Sequence, residues 1–221
     1  MNAKTGGIWA VVPVKPFGLA KQRLAATFTP LFRQELAQAM LCDVLAALRQ
    51  ARSLAGFAVI TADPQAGRLA RDYGGRWLIE GEVRGLNAAA TEAAAVLGAE
   101  RCAAVLVLPG DLPALTAGEI DGFVAGHGPG RAVSLIPAED RQGTNGLIVA
   151  PPATLDFAFG PGSFTRHRDC AQGLGIVPQL HEPERFPGFA RDIDTPQAVQ
   201  RLTGLPPSSR TGRLLASVHC S

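Results

Sequence analysis

The chain has 221 residues, of which 47% are hydrophobic and 18% are charged, with 25 glycines and 17 prolines. This composition excludes a disordered, collagen-like or coiled-coil chain, and the length favours one elaborated α/β domain over two independent domains. The formal net charge of +2 is too small for general adhesion to nucleic acid or to a membrane surface. Any anion-binding site must therefore be local, and the rare lysines Lys15 and Lys21 lie close together near the N-terminus.

The sequence predicts a soluble, cytoplasmic protein. No basic segment followed by an apolar stretch opens the chain, and no apolar run approaches the roughly 18 residues of a membrane span. The four cysteines, Cys42, Cys102, Cys170 and Cys220, are far apart and lack metal-binding spacing. Free thiols in a reducing compartment are the expected state.

Apolar runs separated by helical patterns predict the fold class. Strands are expected at residues 8–14, 57–61, 103–108, 132–136 and 146–150. Helices are expected after the prolines at 30 and 64, over residues 85–98, and after Thr116. Alternating strands and helices indicate parallel βαβ units in a three-layer α/β fold, with ligands at the carboxyl ends of the strands.

The alternation lapses after residue 150. Residues 151–190, rich in Gly, Pro and aromatic residues, are expected to form an insertion within a single domain of residues 1–204. Such an insertion is compatible with a lid over the chain's own site or with an arm that reaches a second subunit of a homodimer. Residues 205–221 are turn-prone and polar, which predicts a flexible tail.

The loop after the first strand has the charge to bind a polyphosphate. Lys15, Lys21 and Arg23 stand within PVKPFGLAKQRL, where a βα turn also offers backbone amides. The loop matches neither the GxxxxGK nor the GxGxxG phosphate-binding motif. Solvated loop cations are the alternative interpretation.

Three carboxylates are candidate magnesium ligands. Asp111 follows the apolar run 103–108, and Asp192 and Asp194 point to the same side if their backbone is extended. Together they would hold one or two ions between phosphates. Alternatively, Asp111 caps a turn, and the other two complement the dipole of a helix that begins at Pro196.

Two Gly-flanked segments offer donors for a small phosphate or carboxylate. Thr144 lies in GTNG, and Ser163 lies in FGPGSF at a predicted helix start. Ordinary turn and helix-cap duties are the alternative. His167, one helical turn beyond Ser163, either joins this site or lies at the surface.

Taken in order, PVKPFGLAKQRL, GDLP, GTNGL, FGPGSFTRH and FPGFARDIDTP closely resemble the CofC/FbiD-type guanylyltransferases, which attach GMP to a three-carbon phosphoacid in coenzyme F-420 biosynthesis. The resemblance runs from about Ile8 to Leu202. It implies a Rossmann-like nucleotidyltransferase fold of the nucleotide-diphospho-sugar transferase type with a mostly parallel sheet. The related molybdenum cofactor guanylyltransferases have a Gly-rich first loop, which PVKPFGLAKQRL replaces here.

The resemblance also implies roles for individual residues. The magnesium ligands would be Asp111, Asp192 and Asp194. The phosphoacid would bind at Thr144, Gly160 and Ser163. The GTP triphosphate would lie along Lys15, Lys21 and Arg23, which with Asp111 would be the catalytic residues. Within residues 82–87, Arg84 and Asn87 would hold the nucleotide.

The expected activity is transfer of GMP from GTP to 2-phospho-L-lactate, phosphoenolpyruvate or 3-phospho-D-glycerate with release of diphosphate. The residues do not discriminate among these three acceptors. One alternative is a related nucleotidyltransferase with another base or acceptor, such as a molybdenum cofactor guanylyltransferase-like enzyme. Another is a non-catalytic nucleotide-sensing module on the same scaffold.

Overall fold

A computed structural model describes residues 6–202 and 204–218. Its centre is a seven-stranded sheet of order β3-β2-β1-β4-β6-β5-β7. The strands are β1 (Ile8–Pro13), β2 (Leu54–Thr61), β3 (Arg76–Ile79), β4 (Ala104–Val107), β5 (Ala132–Pro137), β6 (Thr144–Ala150) and β7 (Gln179–Leu180). The helices are α1 (Pro30–Gln50), α2 (Pro64–Asp72), α3 (Leu86–Ala99), α4 (Ala117–Ala125), α5 (Ser163–Gly173), α6 (Pro187–Ala190), α7 (Pro196–Arg201) and α8 (Arg210–Val218). The predicted α/β class is confirmed.

Alternate side chains of the buried strands enter two apolar layers. In β1, Ala10 and Val12 face a core shared with α1, α2, α4 and α6, whereas Trp9 and Val11 face a core shared with α3 and α5. Because both faces are covered, these strands are continuously apolar, which is the pattern that the sequence predicts for a central sheet. The three-layer arrangement follows.

The strand order reverses between β1 and β4. The chain steps outward from β1 to β2 and β3, then crosses back to β4 on the other side of β1. Because crossovers between parallel strands are right-handed, this change of direction places α3 on the other face of the sheet from α1 and α2. Ligands of open α/β sheets bind at such a reversal, beyond the carboxyl ends of the strands.

The sheet is mostly parallel, as expected, but β6 runs antiparallel to β4 and β5. The connection between β5 and β6, residues 138–143, is too short for a helical crossover, so β6 must return as a hairpin partner. Leu147 pairs with Val107. The first residue of β6, Thr144, therefore lies at the edge of the sheet where β4 ends.

The segment 151–190 wraps around one edge of the sheet. Within it, α5 contributes Ala171 to the α3 side of the core, β7 extends the sheet beside β5, and α6 contributes Phe189 to the other side. Much of this predicted insertion is thus built into both apolar layers. Its stretch 159–163 borders the cleft described below.

The C-terminal segment contains α8, although the sequence predicts a flexible tail there. Asp43 of α1 accepts hydrogen bonds from the Ser209 hydroxyl at 2.8 Å and from the backbone amides of Arg210 and Thr211 at 2.7 and 2.9 Å. Leu214 and Leu215 pack against a small apolar cluster that includes Leu36 and Met40 of α1. The local sequence does not predict this helix, because the side chain that caps it, Asp43, is distant along the chain.

No helix within the described ranges combines the length and apolar character needed to cross a bilayer. Among the described cysteines, Cys42, Cys102 and Cys170 are free thiols, as expected. Cys220 lies outside the described residues.

Candidate active site

The loop after β1 is anchored on both sides of Lys21. Two 3-10 turns, Phe17–Leu19 and Gln22–Leu24, contribute the buried side chains of Phe17 and Leu24. The Phe17 amide also donates to Asp63 Oδ2 at 2.8 Å. Lys21 lies between the turns with a left-handed φ of 54°, an unusual conformation for a side-chain-bearing residue. This local geometry holds its ammonium toward the carboxyl end of β4.

Three carboxylates from two distant segments meet at this point. Asp111 follows β4, and its carbonyl accepts a hydrogen bond from the Ile193 amide at 3.3 Å. Ile193 is buried, so Asp192 and Asp194 on either side of it turn back toward Asp111. One ligand oxygen from each aspartate lies within 4.8 Å of the others. The structure thus brings together the three residues that the sequence nominates as metal ligands.

Lys21 neutralises part of this negative charge. Its ammonium bonds Asp111 and, at 2.8 Å, Asp194, which also has Arg23 at 3.6 Å. Burial lowers the pKa of Lys21, but attraction to Asp111 and Asp194 outweighs it, so the pKa is raised and the ammonium stays charged. Burial acts to raise the pKa of Asp194, but the nearby cations outweigh burial and the pKa is lowered.

Asp192 is in a different environment. Burial and the neighbouring charge of Asp111 raise the pKa of Asp192, although the Asn145 amide donates to its Oδ1 at 3.1 Å. Asp111 Oδ1 is buried without a hydrogen-bond partner in the described part of the chain. A crowded, oxygen-only donor set with an unsatisfied buried oxygen fits a hard divalent cation.

Two hollows meet at these carboxylates, and Asp111 and Asp194 line both. One, of about 380 Å³, lies beneath the β1 loop and is bordered by Lys15, Lys21 and Arg23. The other, of about 540 Å³, extends toward β6 and the start of α5. Its wall includes Thr144, Gly160, Gly162 and Ser163. The site therefore has a cationic side and a side rich in neutral donors, with the acidic cluster between them.

The neutral side is built on two glycines with left-handed φ angles, Gly160 at 116° and Gly162 at 72°. They turn the chain so that α5 begins at the cleft with Ser163, whose hydroxyl is buried and has no partner within the described ranges. Thr144, also buried, lies opposite at the start of β6. The Arg166 guanidinium secures the loop by donating to the Ala158 carbonyl at 2.8 Å.

The two residues expected to hold the nucleotide are placed differently. Arg84 is exposed and lies 3.9 Å from Glu92 of α3. Asn87 accepts a hydrogen bond from the Phe159 amide at 2.7 Å and donates to its carbonyl at 3.3 Å. In this structure, the Asn87 side chain therefore braces the 157–162 loop, and its neighbour Leu86 lines both hollows.

Sequence reasoning missed the supporting residues Asn145 and Arg166 and left His167 undecided. His167 is fully buried, with its Nδ1 3.0 Å from Thr144 Oγ1 and its Nε2 accepting from the Ala158 amide at 2.9 Å. Burial lowers the pKa of His167 to about 4, so the ring is neutral near pH 7. The spacing of His167 from Ser163 was the only local signal for this contact.

Comparison with known proteins agrees with this architecture. The family model for CofC-like guanylyl transferases matches residues 8–200. The chain is 36% identical over 208 residues to the phosphoenolpyruvate guanylyltransferase of Conexibacter woesei, with 92% of this chain and 91% of that protein covered. It is 39% identical over 197 residues to the phosphoenolpyruvate guanylyltransferase of Rubrobacter xylanophilus, with coverages of 88% and 93%.

Solved structures share the fold at much lower identity. A protein assigned to the nucleotide-diphospho-sugar transferases from Desulfovibrio desulfuricans G20 superposes with a TM-score of 0.75 at 13% identity, covering 98% of this chain and 96% of that one. A nucleotidyl transferase from Methanothermobacter gives a TM-score of 0.60 at 16% identity, with coverages of 96% and 99%. The expected nucleotidyltransferase fold is confirmed. With the match over residues 8–200, the chain belongs to the CofC-like guanylyl transferase family.

Proposed function

We propose that the chain transfers GMP from GTP to phosphoenolpyruvate, with release of diphosphate, as a step of coenzyme F-420 biosynthesis. The choice among three-carbon phosphoacids is supported by the names of the similar proteins from Conexibacter and Rubrobacter. The donor-rich hollow beside Thr144 and Ser163 suits a small anion.

The observation that carries this proposal is the position of the acidic cluster. Asp111 and Asp194 border both hollows, so a group bound in one hollow would meet a group bound in the other at the carboxylates. The triphosphate of GTP would lie along Lys15, Lys21 and Arg23. The phosphoacid would lie against Thr144, Gly160 and Ser163. This arrangement suits a transfer between two phosphorylated substrates.

We assign Asp111, Asp192 and Asp194 as the residues that would hold Mg²⁺. Bound there, the ion would neutralise phosphate charge and help to align the two substrates. The unsatisfied Oδ1 of Asp111 and the oxygen-only donor set support this assignment. Lys21 then serves as a counter-charge to this cluster, since its ammonium contacts two of the same carboxylates.

The reaction would proceed by in-line displacement. A phosphate oxygen of the acceptor attacks the α-phosphorus of GTP, a new P–O bond forms, and the bond to the β-phosphate oxygen breaks as diphosphate leaves. The phosphate dianion is already nucleophilic at neutral pH, so the chain need not remove a proton. Lys15, Lys21 and Arg23 would stabilise the negative charge of the transition state and the leaving group.

The direct test mixes the protein with GTP, MgCl₂ and each of the three candidate acceptors and follows diphosphate release. We expect turnover with phosphoenolpyruvate and loss of turnover in Asp111→Asn. Replacement of GTP by CTP, ATP or UTP tests the base. Silence with every acceptor would reject the transferase proposal, and preference for another nucleotide would reject the assignment of GTP.

A further inference from the structure

His167 is a buried titratable group that borders the site and that the proposed reaction leaves without a role. It lies on α5 one turn beyond Ser163, is fully buried, and faces Thr144 rather than solvent. Its ring also packs edge-on against Phe159, with centroids 4.9 Å apart. The imidazole therefore joins β6, the 157–162 loop and α5 behind the donor-rich hollow.

The hydrogen bonds determine the tautomer of this ring. A backbone amide can only donate, so the contact from Ala158 N to His167 Nε2 at 2.9 Å requires a lone pair on Nε2. A neutral imidazole then carries its single hydrogen on Nδ1. That hydrogen points to Thr144 Oγ1 at 3.0 Å, so the threonine oxygen is the acceptor of this bond.

This bond also determines whether the Thr144 hydroxyl can donate a hydrogen bond. A hydroxyl that accepts from a fixed N–H retains its own hydrogen to donate elsewhere. Within residues 6–202 and 204–218, His167 is the hydrogen-bond partner found for the Thr144 side chain, and Thr144 is one of the residues that line the cleft. The free O–H is therefore available to a ligand in the hollow that Ser163 also lines, and the Ser163 hydroxyl is buried there without a partner among the described residues.

We propose that His167 is a positioning residue whose neutral Nδ1–H form makes Thr144 a hydrogen-bond donor to the anionic phosphoacid. The inference rests on the proposed function, which places that substrate in this hollow. Donors from Thr144 and Ser163 favour a phosphate or carboxylate oxygen over a group that must itself donate. His167 thus favours substrates that accept a hydrogen bond at this position, without touching them.

Two substitutions separate the functions of the two ring nitrogens. His167→Asn retains a donor close to the Nδ1 position, whereas His167→Gln retains an acceptor close to Nε2 but loses the directed donor. We expect His167→Gln to raise the KM for the phosphoacid about tenfold or more, with the KM for GTP changed less than about twofold. His167→Asn should recover part of that loss. Arg168→Gln, a change at a partly exposed residue on the same helix that pairs with Asp169, is the matched control.

A double-mutant cycle with Thr144→Val tests the route through threonine. If His167 acts through that hydroxyl, adding His167→Gln to Thr144→Val should raise the acceptor KM by less than about twofold further. Full additivity, or equal losses in the KM of both substrates, would overturn the positioning role. Wild-type turnover in the same assay keeps this outcome distinct from failure of the proposed reaction.

The tautomer can also be measured without catalysis, so that the inference remains testable if the variants fold poorly. In the wild-type protein, ¹⁵N spectra near pH 7 should show a protonated Nδ1 and an unprotonated Nε2 for His167. An imidazolium, or hydrogen on Nε2, would overturn the proposal.

Discussion

At the residue scale, the site depends on one ammonium placed among three carboxylates. Lys21 is almost completely buried and contacts Asp111 and Asp194, and a carboxylate oxygen of Asp192 lies within 4.8 Å of theirs. Buried charges are stable only when paired, and removal of one partner leaves the others uncompensated. The same lysine that would meet the triphosphate therefore also stabilises the acidic cluster.

Replacing Lys21 by methionine should affect both catalysis and stability. We expect kcat/KM to fall by about 100-fold or more because charge stabilisation is lost. The free energy of unfolding in EDTA should fall by about 1–3 kcal/mol, less than for a fully buried pair because Asp194 is partly exposed. Urea denaturation with and without MgCl₂ measures this loss. Mg²⁺ should raise the stability of the variant more than that of wild type, with Arg68→Gln on the exposed side of α2 as control.

His167 gives a second prediction, on pH and stability. Its pKa falls from 6.5 to about 4 in the folded protein because burial disfavours the charged ring. Between pH 4 and pH 6.5, the unfolded chain therefore binds a proton at His167 that the folded chain does not bind. The contribution of the neutral ring to the free energy of unfolding is complete above pH 6.5 and is lost as the pH falls toward 4.

Between pH 7 and pH 5, wild type should lose about 2 kcal/mol of unfolding free energy through this group. His167→Gln should lack that component. Urea denaturation of both proteins at the two pH values isolates the difference, because Asp192 and Asp194 are common to both. Parallel losses in the two proteins would contradict the depressed pKa.

At the element scale, loop ends and helix starts are held by side chains from distant segments. Asp63 binds the Phe17 amide of the β1 loop, and Asp43 caps the first turn of α8. The Asn87 side chain bonds both the amide and the carbonyl of Phe159. Such side chains satisfy backbone amides that have no partner within their own element. The elements are thereby fixed in position around the cleft.

The α8 cap is open to a direct test. Asp43→Ala removes the acceptor for two amides and one hydroxyl, so the free energy of unfolding should fall by about 1–2 kcal/mol. The KM values of both substrates should change little because no described residue of α8 lines either hollow. The urea midpoint provides the measurement, and Asp72→Ala at the exposed end of α2 is the control. An unchanged midpoint would show that α8 contributes no stability through this contact.

At the scale of the whole molecule, two hollows lie at the reversal of strand order. The β1 loop forms one hollow, the start of β6 and of α5 forms the other, and the loop after β4 lies between them. The two surfaces are built mostly from different segments of the chain, so substitutions confined to one should leave the other intact. The two substrates should then respond to different variants.

Steady-state kinetics with both substrates varied tests this separation. Ser163→Ala should raise the KM for the phosphoacid about tenfold, since a hydrogen bond to a charged group is lost, with the KM for GTP nearly unchanged. Lys15→Met should raise the KM for GTP and leave the KM for the phosphoacid nearly unchanged. If both variants raise both KM values equally, the assignment of one substrate to each hollow is wrong.

Local sequence pattern was sufficient for much of this molecule. The apolar runs at residues 8–14 and 103–108 correspond to β1 and β4, because buried parallel strands have a recognisable composition. The alternation of Asp192 and Asp194 around a buried Ile193 is likewise readable along the chain. The reversed direction of β6 was missed, since it depends on the short 138–143 connection rather than on the strand's own residues.

The sequence by itself determined the α/β class and the order of the motifs, and it nominated the three carboxylates as metal ligands. Only the tertiary structure decided that Lys21 lies between Asp111 and Asp194, and that His167 lies behind Thr144. Composition and periodicity report burial and local conformation. These contacts instead join residues that are distant in the sequence and come together only when whole helices and strands pack. The sequence therefore identifies the candidate groups of this site, and the fold determines which of them contact one another.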